Sequence, residues 1–105
     1  MPEMYFARDF TGNEHSFDTP GWTPKKIVFG EAGNNTVKAT RGLVALIKVV
    51  GAANVSLRDG GAEVEKAIWA DINNTTEDWR NCPVVCGTSI VLVTGGACTV
   101  YILYR

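Results

Sequence analysis

From Asn34 onward the hydrophobic and polar positions fall into short segments broken by glycine, which is the pattern of β-strands and not of long helices. "NTVKAT" alternates and predicts a half-exposed strand. "GLVALIKVV", residues 42–50, is apolar on both faces apart from Lys48, as a strand needs to be when it is covered on both sides or lies centrally in a sandwich. "NVSLRDG" places Val55 and Leu57 on one face and Ser56 and Arg58 on the other, and its Asp59-Gly60-Gly61 run predicts a reversal in which both glycines supply unusual backbone conformations. "TSIVLVTGGACTVYILYR" reads as two strands closed into a tight hairpin by Gly95-Gly96, with Cys98, Val100, Ile102 and Tyr104 on one face of the last strand. Thr99, Tyr101, Leu103 and Arg105 fall on its other face. A closing strand this apolar has to be paired, because an open one is an aggregation site.

Two segments fit this scheme less simply. "EVEKAIWADIN", residues 63–73, carries both a helical face and an alternation of Ile68, Ala70 and Ile72 against Trp69 and Asp71. The reading adopted is a strand from about Lys66, preceded by at most a turn of helix. "NNTTEDWRN", residues 73–81, reads as a polar loop with Trp79 as its one large apolar group.

Residues 1–33 break the pattern. Tyr5, Phe6, Phe10, Phe17, Trp22 and Phe29 recur among Pro2, Pro20, Pro24 and several glycines with a period of neither 2 nor 3.6. The expected organisation is therefore an irregular, aromatic-rich N-terminal arm over 1–33 and one β-sandwich body over 34–105. Six of the ten aromatic residues lie in the arm, too many for a flexible linker, so its anchors dock either on the body or on a partner.

Composition narrows the function classes. With 105 residues and 46% hydrophobic content there is enough chain for one packed core. Ten Lys plus Arg against eleven Asp plus Glu leave no global field for nucleic acid or an anionic membrane. "MPEMYFARDF" lacks the apolar run of a secretion signal, and the run from Gly42 to Val55 is broken by Lys48 and shorter than a membrane span, so a soluble protein is expected. Cys82, Cys86 and Cys98 are too few for a disulfide-stapled scaffold and read as reduced thiols of small apolar character.

No catalytic constellation emerges. Asp59, Glu63 and Glu65 offer paired carboxylates near a turn, but solvated side chains are the simpler reading. With Asn73 and Asn74 they match no calcium loop, and the three-residue gap in "CPVVC" with His15 as the sole imidazole argues against zinc. His15 lies in the arm beside Ser16 and Asp18, far from any rigid scaffold. Gly60-Gly61 has neither the spaced glycines nor the lysine of a phosphate loop. No enzyme activity, cofactor or metal is expected.

The body from about Asn35 to Arg105 resembles the small jelly-roll-like β-sandwich structural proteins of tailed-phage virions. The resemblance lies in the order of "VKATRGLVALIKVVG", "VSLRDG", "KAIWADI" and "GTSIVLVTGGACTVYILYR", with Gly87, Thr94, Gly95 and Tyr104 in the places of that family's glycine, Thr-Gly turn and closing tyrosine. It implies a jelly-roll sandwich and a non-enzymatic virion protein, made in the host cytoplasm, that decorates or cements the capsid by binding the major capsid protein. It further implies self-association, as a homotrimer, while the charge balance already argues against membrane or nucleic acid as partner. Tyr5, Phe6, Phe10, Trp22 and Trp79 are the expected contact anchors. A reading from another class is a small carbohydrate- or nucleic-acid-binding module that stacks ligands on Trp22, Trp69 or Trp79.

Overall fold

The computed structural model describes residues 22–105 in full and, before them, the backbone of two strands. These strands, β1 (Met4–Arg8) and β2 (Glu14–Asp18), pair antiparallel as a small sheet of their own, with Tyr5 opposite Phe17 and Arg8 opposite Glu14.

The remaining strands form two antiparallel sheets packed as a β-sandwich. They are β3 (Thr23–Phe29), β4 (Gly33–Lys38), β5 (Gly42–Val50), β6 (Val55–Asp59), β7 (Ala67–Ile72), β8 (Thr76–Asp78), β9 (Val84–Cys86), β10 (Ile90–Thr94) and β11 (Cys98–Tyr104). One sheet has the order β4-β10-β6-β7, and the other β3-β11-β5-β8, with β9 also paired to β5. The all-β sandwich expected from strand-length alternation is therefore what the chain forms. Ile47, Val49, Val100 and Ile102 from one sheet meet Val55, Leu57, Ile90 and Leu92 from the other in a single buried cluster. Each such side chain contributes roughly 1.5–3 kcal/mol through removal from water.

The alternation in the sequence maps onto this core well. β11 buries Cys98, Val100 and Ile102 and lies between β3 and β5, so the apolar closing strand is paired on both edges. β5 is likewise internal, with Lys48 exposed as its one charged residue. Over 63–73 a single 3-10 turn, Val64–Lys66, leads into β7, with Val64 exposed and Ile72 buried.

Four expectations change. The "TGG" segment does not close a hairpin: β10 and β11 belong to different sheets, and Gly95-Gly96 is the corner between them. A primed hairpin turn needs positive φ, and among the described glycines only Gly51 and Gly60 have it. The corner is held instead by Thr94, whose hydroxyl donates to the Gly96 carbonyl at 2.8 Å, and by the Gly95 amide donating to the Asn54 carbonyl at 3.1 Å.

The N-terminal arm is not irregular throughout, since β1 and β2 lie within it, and it does not reach residue 33. β3 lies on the edge of the five-stranded sheet and buries Ile27 and Phe29, so this part of the supposed arm belongs to the body. Lone apolar residues among Pro24, Lys25 and Lys26 hid a strand whose outer residues are polar because it is an edge. The polar loop over 73–81 also contains a strand, β8, paired with the Leu46–Lys48 part of β5. Finally, only one of the two glycines in "DGG" has an unusual backbone. Gly60 sits at φ 90°, whereas Gly61 has no positive φ and a Cβ there would meet only the movable carboxylate of Glu63.

Candidate binding site

The side of the sandwich where β7 and β8 form the two sheet edges carries an aromatic pair. Trp69, on β7, is 42% exposed, and its ring meets that of Trp79, just after β8, edge to face with centroids 5.4 Å apart and planes at 70°. Such a pair is worth about 0.5–1.5 kcal/mol beyond the area it buries. Trp79 is half-buried and packs on the main core, and its amide donates to the Ala45 carbonyl of β5 at 2.6 Å. Trp79 thus ties the connection to the five-stranded sheet, while Trp69 reaches it from the four-stranded one.

Beside the pair, Arg80 forks onto Asp78. Its Nε donates to both carboxylate oxygens at 3.0 Å and Nη2 to Oδ2 at 2.6 Å. The Arg80 hydrogen bonds hold the Asp78 carboxyl below its ordinary range, and Asp78 in turn raises the guanidinium. Asp78 to Cys82 line an open cleft of about 450 Å³. Both described non-glycine residues with positive φ stand near the end of β7, Asp71 at 59° within the strand and Asn74 at 41° in the connection that follows. Asn73 between them donates to the side chain of Asn54 at 2.8 Å, which fixes this connection to the next loop. An exposed tryptophan, an arginine fork and a bent, anchored backbone in one place are the materials of a contact site.

A second surface lies on the outer face of the five-stranded sheet. Strand register sets Val28, Thr99 and Val50 in one row, Lys26, Tyr101 and Lys48 in the next, and Pro24, Leu103 and Leu46 in a third. Val28 is 68%, Val50 46% and Tyr101 39% exposed. A shallow groove of about 400 Å³ runs between Pro24, Lys26, Leu46, Tyr101 and Leu103, and the Lys26 ammonium lies 5.9 Å from the Tyr101 ring centre.

The expected anchors are distributed unevenly. Trp79 is in the aromatic pair. Trp22 is half-buried against Leu43 and Val85 and covered by the Arg105 guanidinium 4.6 Å from its ring centre, so it serves the body and not an open contact. Tyr5 and Phe6 lie on β1, but their side chains, like the whole of Phe10, are outside the described residues, as is the side chain of His15. The Lys26-Tyr101-Lys48 row was not singled out from sequence. Alternation places Tyr101 outward, but only strand register brings the two lysines to its sides.

Of the carboxylates weighed for chemistry, Asp59 takes a structural position. Asp59 accepts the backbone amides of Gly87, Thr88 and Ser89 at 2.8, 2.8 and 3.2 Å. Arg58 donates to the Ala62 carbonyl and closes the same loop. Cys86 and Cys98 are buried, Cys82 is exposed, and none is in a disulfide. Burial, and then the nearby Asp59 charge, push the Cys86 thiol up, away from the thiolate. Among the described residues no three His, Cys, Asp or Glu side chains gather in a metal-binding group, and no helix is long and apolar enough to cross a membrane. Comparisons with protein-family models, with curated proteins and with solved structures find no match to this chain.

Proposed function

We propose that this chain is a non-enzymatic structural protein of a tailed-phage virion, a decoration or cement component that binds the lattice of the major capsid protein. The observation that carries the reading is the exposed Trp69, braced by Trp79 and flanked by the Asp78-Arg80 fork at the open side of a rigid sandwich. Tryptophan and arginine are the residues most often dominant in protein interfaces, and a braced ring loses little conformational freedom on contact.

The strand order supports the family reading. Omitting β1 and β2 and counting β8 with β9 as one position leaves eight strands, dealt between two four-membered layers as β3-β11-β5-β8 and β4-β10-β6-β7. That interleaving, in which the closing strands of the chain insert between early ones, supports a jelly-roll reading, a fold that capsid-associated domains use. On this reading the protein is located on the capsid surface and self-associates as a homotrimer.

The test is co-sedimentation of the purified chain with shells of the phage that encodes it. Trp69→Ala should weaken shell binding about thirtyfold or more, the scale of an interface hot spot of about 2 kcal/mol, while urea unfolding stays cooperative. A second reading, carbohydrate binding, rests on the same exposed ring, because sugar faces stack on tryptophan. Quenching of Trp fluorescence by glycans, without shell binding, would favour it.

A further inference from the structure

We propose that copies of this chain associate head to tail, with the Glu63-Val64-Glu65 tip of the β6–β7 connection in one copy seated on the outer face of the five-stranded sheet in the next. Copies joined in this way need bind no shell, so the contact is independent of the shell reading.

The tip is an apolar knob between two carboxylates. Val64 stands on the single 3-10 turn and is 77% exposed, more than any other large apolar side chain among the described residues. Glu63 and Glu65, on either side of it in sequence, are exposed too, and the Glu63 side chain caps no amide of the turn. Lys66 follows where β7 begins, and the tip stays net acidic. One exposed valine is ordinary in itself. What singles this one out is the pair of carboxylates around it, together with a face of matching chemistry on the other sheet.

On that face the charge is reversed. Lys26 and Lys48 flank Tyr101 in the middle row, between the Val28-Thr99-Val50 and Pro24-Leu103-Leu46 rows, and no acidic residue stands in these three rows. Neighbouring strands lie about 4.8 Å apart, which sets the two lysine Cα atoms about 10 Å from each other, a spacing their long side chains can close onto two nearby carboxylates. β8 adds one carboxylate in register, Asp78 opposite Leu46, and Arg80 already engages it. The shallow groove lined by Pro24, Leu46, Tyr101 and Leu103 offers Val64 an apolar seat beside the lysines. Tip and face are thus complementary in their apolar and their charged positions alike.

The fold assigns the two surfaces to different copies. The β6–β7 connection belongs to the four-stranded sheet, and the core lies between that sheet and the outer face of the other. Within one protomer the tip and the face belong to opposite layers, so they meet only between copies. Pairing of two such faces with each other is disfavoured, because it sets lysines against lysines. Each copy offers one tip and one face, and a contact of this heterologous kind closes into a ring or extends as a chain.

The experiment is mass determination by light scattering on the full chain. The unaltered chain should run above the monomer mass, with association weakened about tenfold or more between about 0.05 M and about 1 M salt, as screening of the lysine-carboxylate contacts requires. Glu63→Lys with Glu65→Lys should give a folded monomer, and so should Lys26→Glu with Lys48→Glu. All four reversals in one chain should restore the oligomer, a result that loss of folding cannot imitate. Val64→Ser should weaken association about tenfold and leave the urea midpoint of the dissociated chain unchanged, since the side chain is buried only in the contact. A monomeric unaltered chain at about 100 μM would overturn the proposal, and binding of that monomer to vesicles of anionic lipid, lost on Lys26→Glu with Lys48→Glu, would give the face to a membrane instead. An oligomer that either pair of reversals leaves intact would also overturn it, as would monomers that the four reversals together fail to reassemble.

Discussion

Asp59, at the end of β6, holds the chain just before β10 by accepting the backbone amide of Thr88 at 2.8 Å, 29 residues away in sequence. Gly87 and Ser89 donate to the same carboxylate, so one side chain satisfies three consecutive amides that no strand pairing serves. Asp59→Ala should lower stability by about 2–3 kcal/mol, since the half-buried Gly87 and buried Ser89 amides, with the exposed Thr88 amide, lose a charged acceptor together. Asp59→Asn, which keeps one acceptor oxygen, should cost less. Urea unfolding followed by tryptophan fluorescence checks both, and equal effects from the two substitutions would contradict the assignment.

The two glycines that follow separate sharply. Gly60 has φ 90° and a Cβ there would stand 3.3 Å from Thr88, so Gly60→Ala should cost roughly 1–2 kcal/mol. Gly61→Ala should stay within about 0.5 kcal/mol, because only the flexible end of Glu63 has to move. Thermal unfolding of the two variants distinguishes this from a turn that depends equally on both.

Gly42 presents the opposite case, a glycine needed for space and not for φ. A Cβ on it would meet the Arg105 carbonyl at 2.5 Å and Ile90 Cδ1 at 2.7 Å. Gly42→Ala should therefore destabilise by about 1–3 kcal/mol through overpacking. The check is a lower urea midpoint with an unchanged slope.

The cysteines should differ in reactivity. A thiol reagent added to the folded chain should modify Cys82 and leave Cys86 and Cys98 untouched until denaturant is added. Cys86 also sets a direction with pH: its folded pKa is raised, so the unfolded chain releases that proton first. Stability from this group is complete below the ordinary thiol value of about 8.5 and falls as pH rises above it. Cys86→Ala should remove that part of the alkaline slope in unfolding measured between neutral and alkaline pH.

The inward and outward faces of β5, β6 and β11 were legible because apolar alternation depends on burial alone: Leu57 is fully buried and Lys48 exposed, as their positions require. Strand pairing was not legible in the same way. Gly95-Gly96 carries a hairpin signature, yet whether two strands pair or cross between sheets depends on φ and on long-range partners such as Asn54. β3 and β8 were hidden because edge strands bury few side chains and leave a weak periodic signal. In the candidate site, Trp79 stood out as the one large apolar residue in a polar stretch, but its contact with Trp69 depends on bringing the edges of two sheets together.

That contact can be measured directly. A double-mutant cycle on Trp69→Ala and Trp79→Ala should give a coupling of about 0.5–1.5 kcal/mol in folding stability. Zero coupling would mean that Trp69 is not braced, and the contact site would lose its rigidity argument.

The proposed grip on a capsid lattice is tested by quantitative sedimentation of the purified chain with phage shells, with Trp69→Ala alongside. A lattice-binding protein should show saturable binding at a fixed ratio to the capsid subunit, weakened about thirtyfold or more by the substitution. No sedimentation with the shells, or binding that Trp69→Ala leaves unchanged, would contradict it.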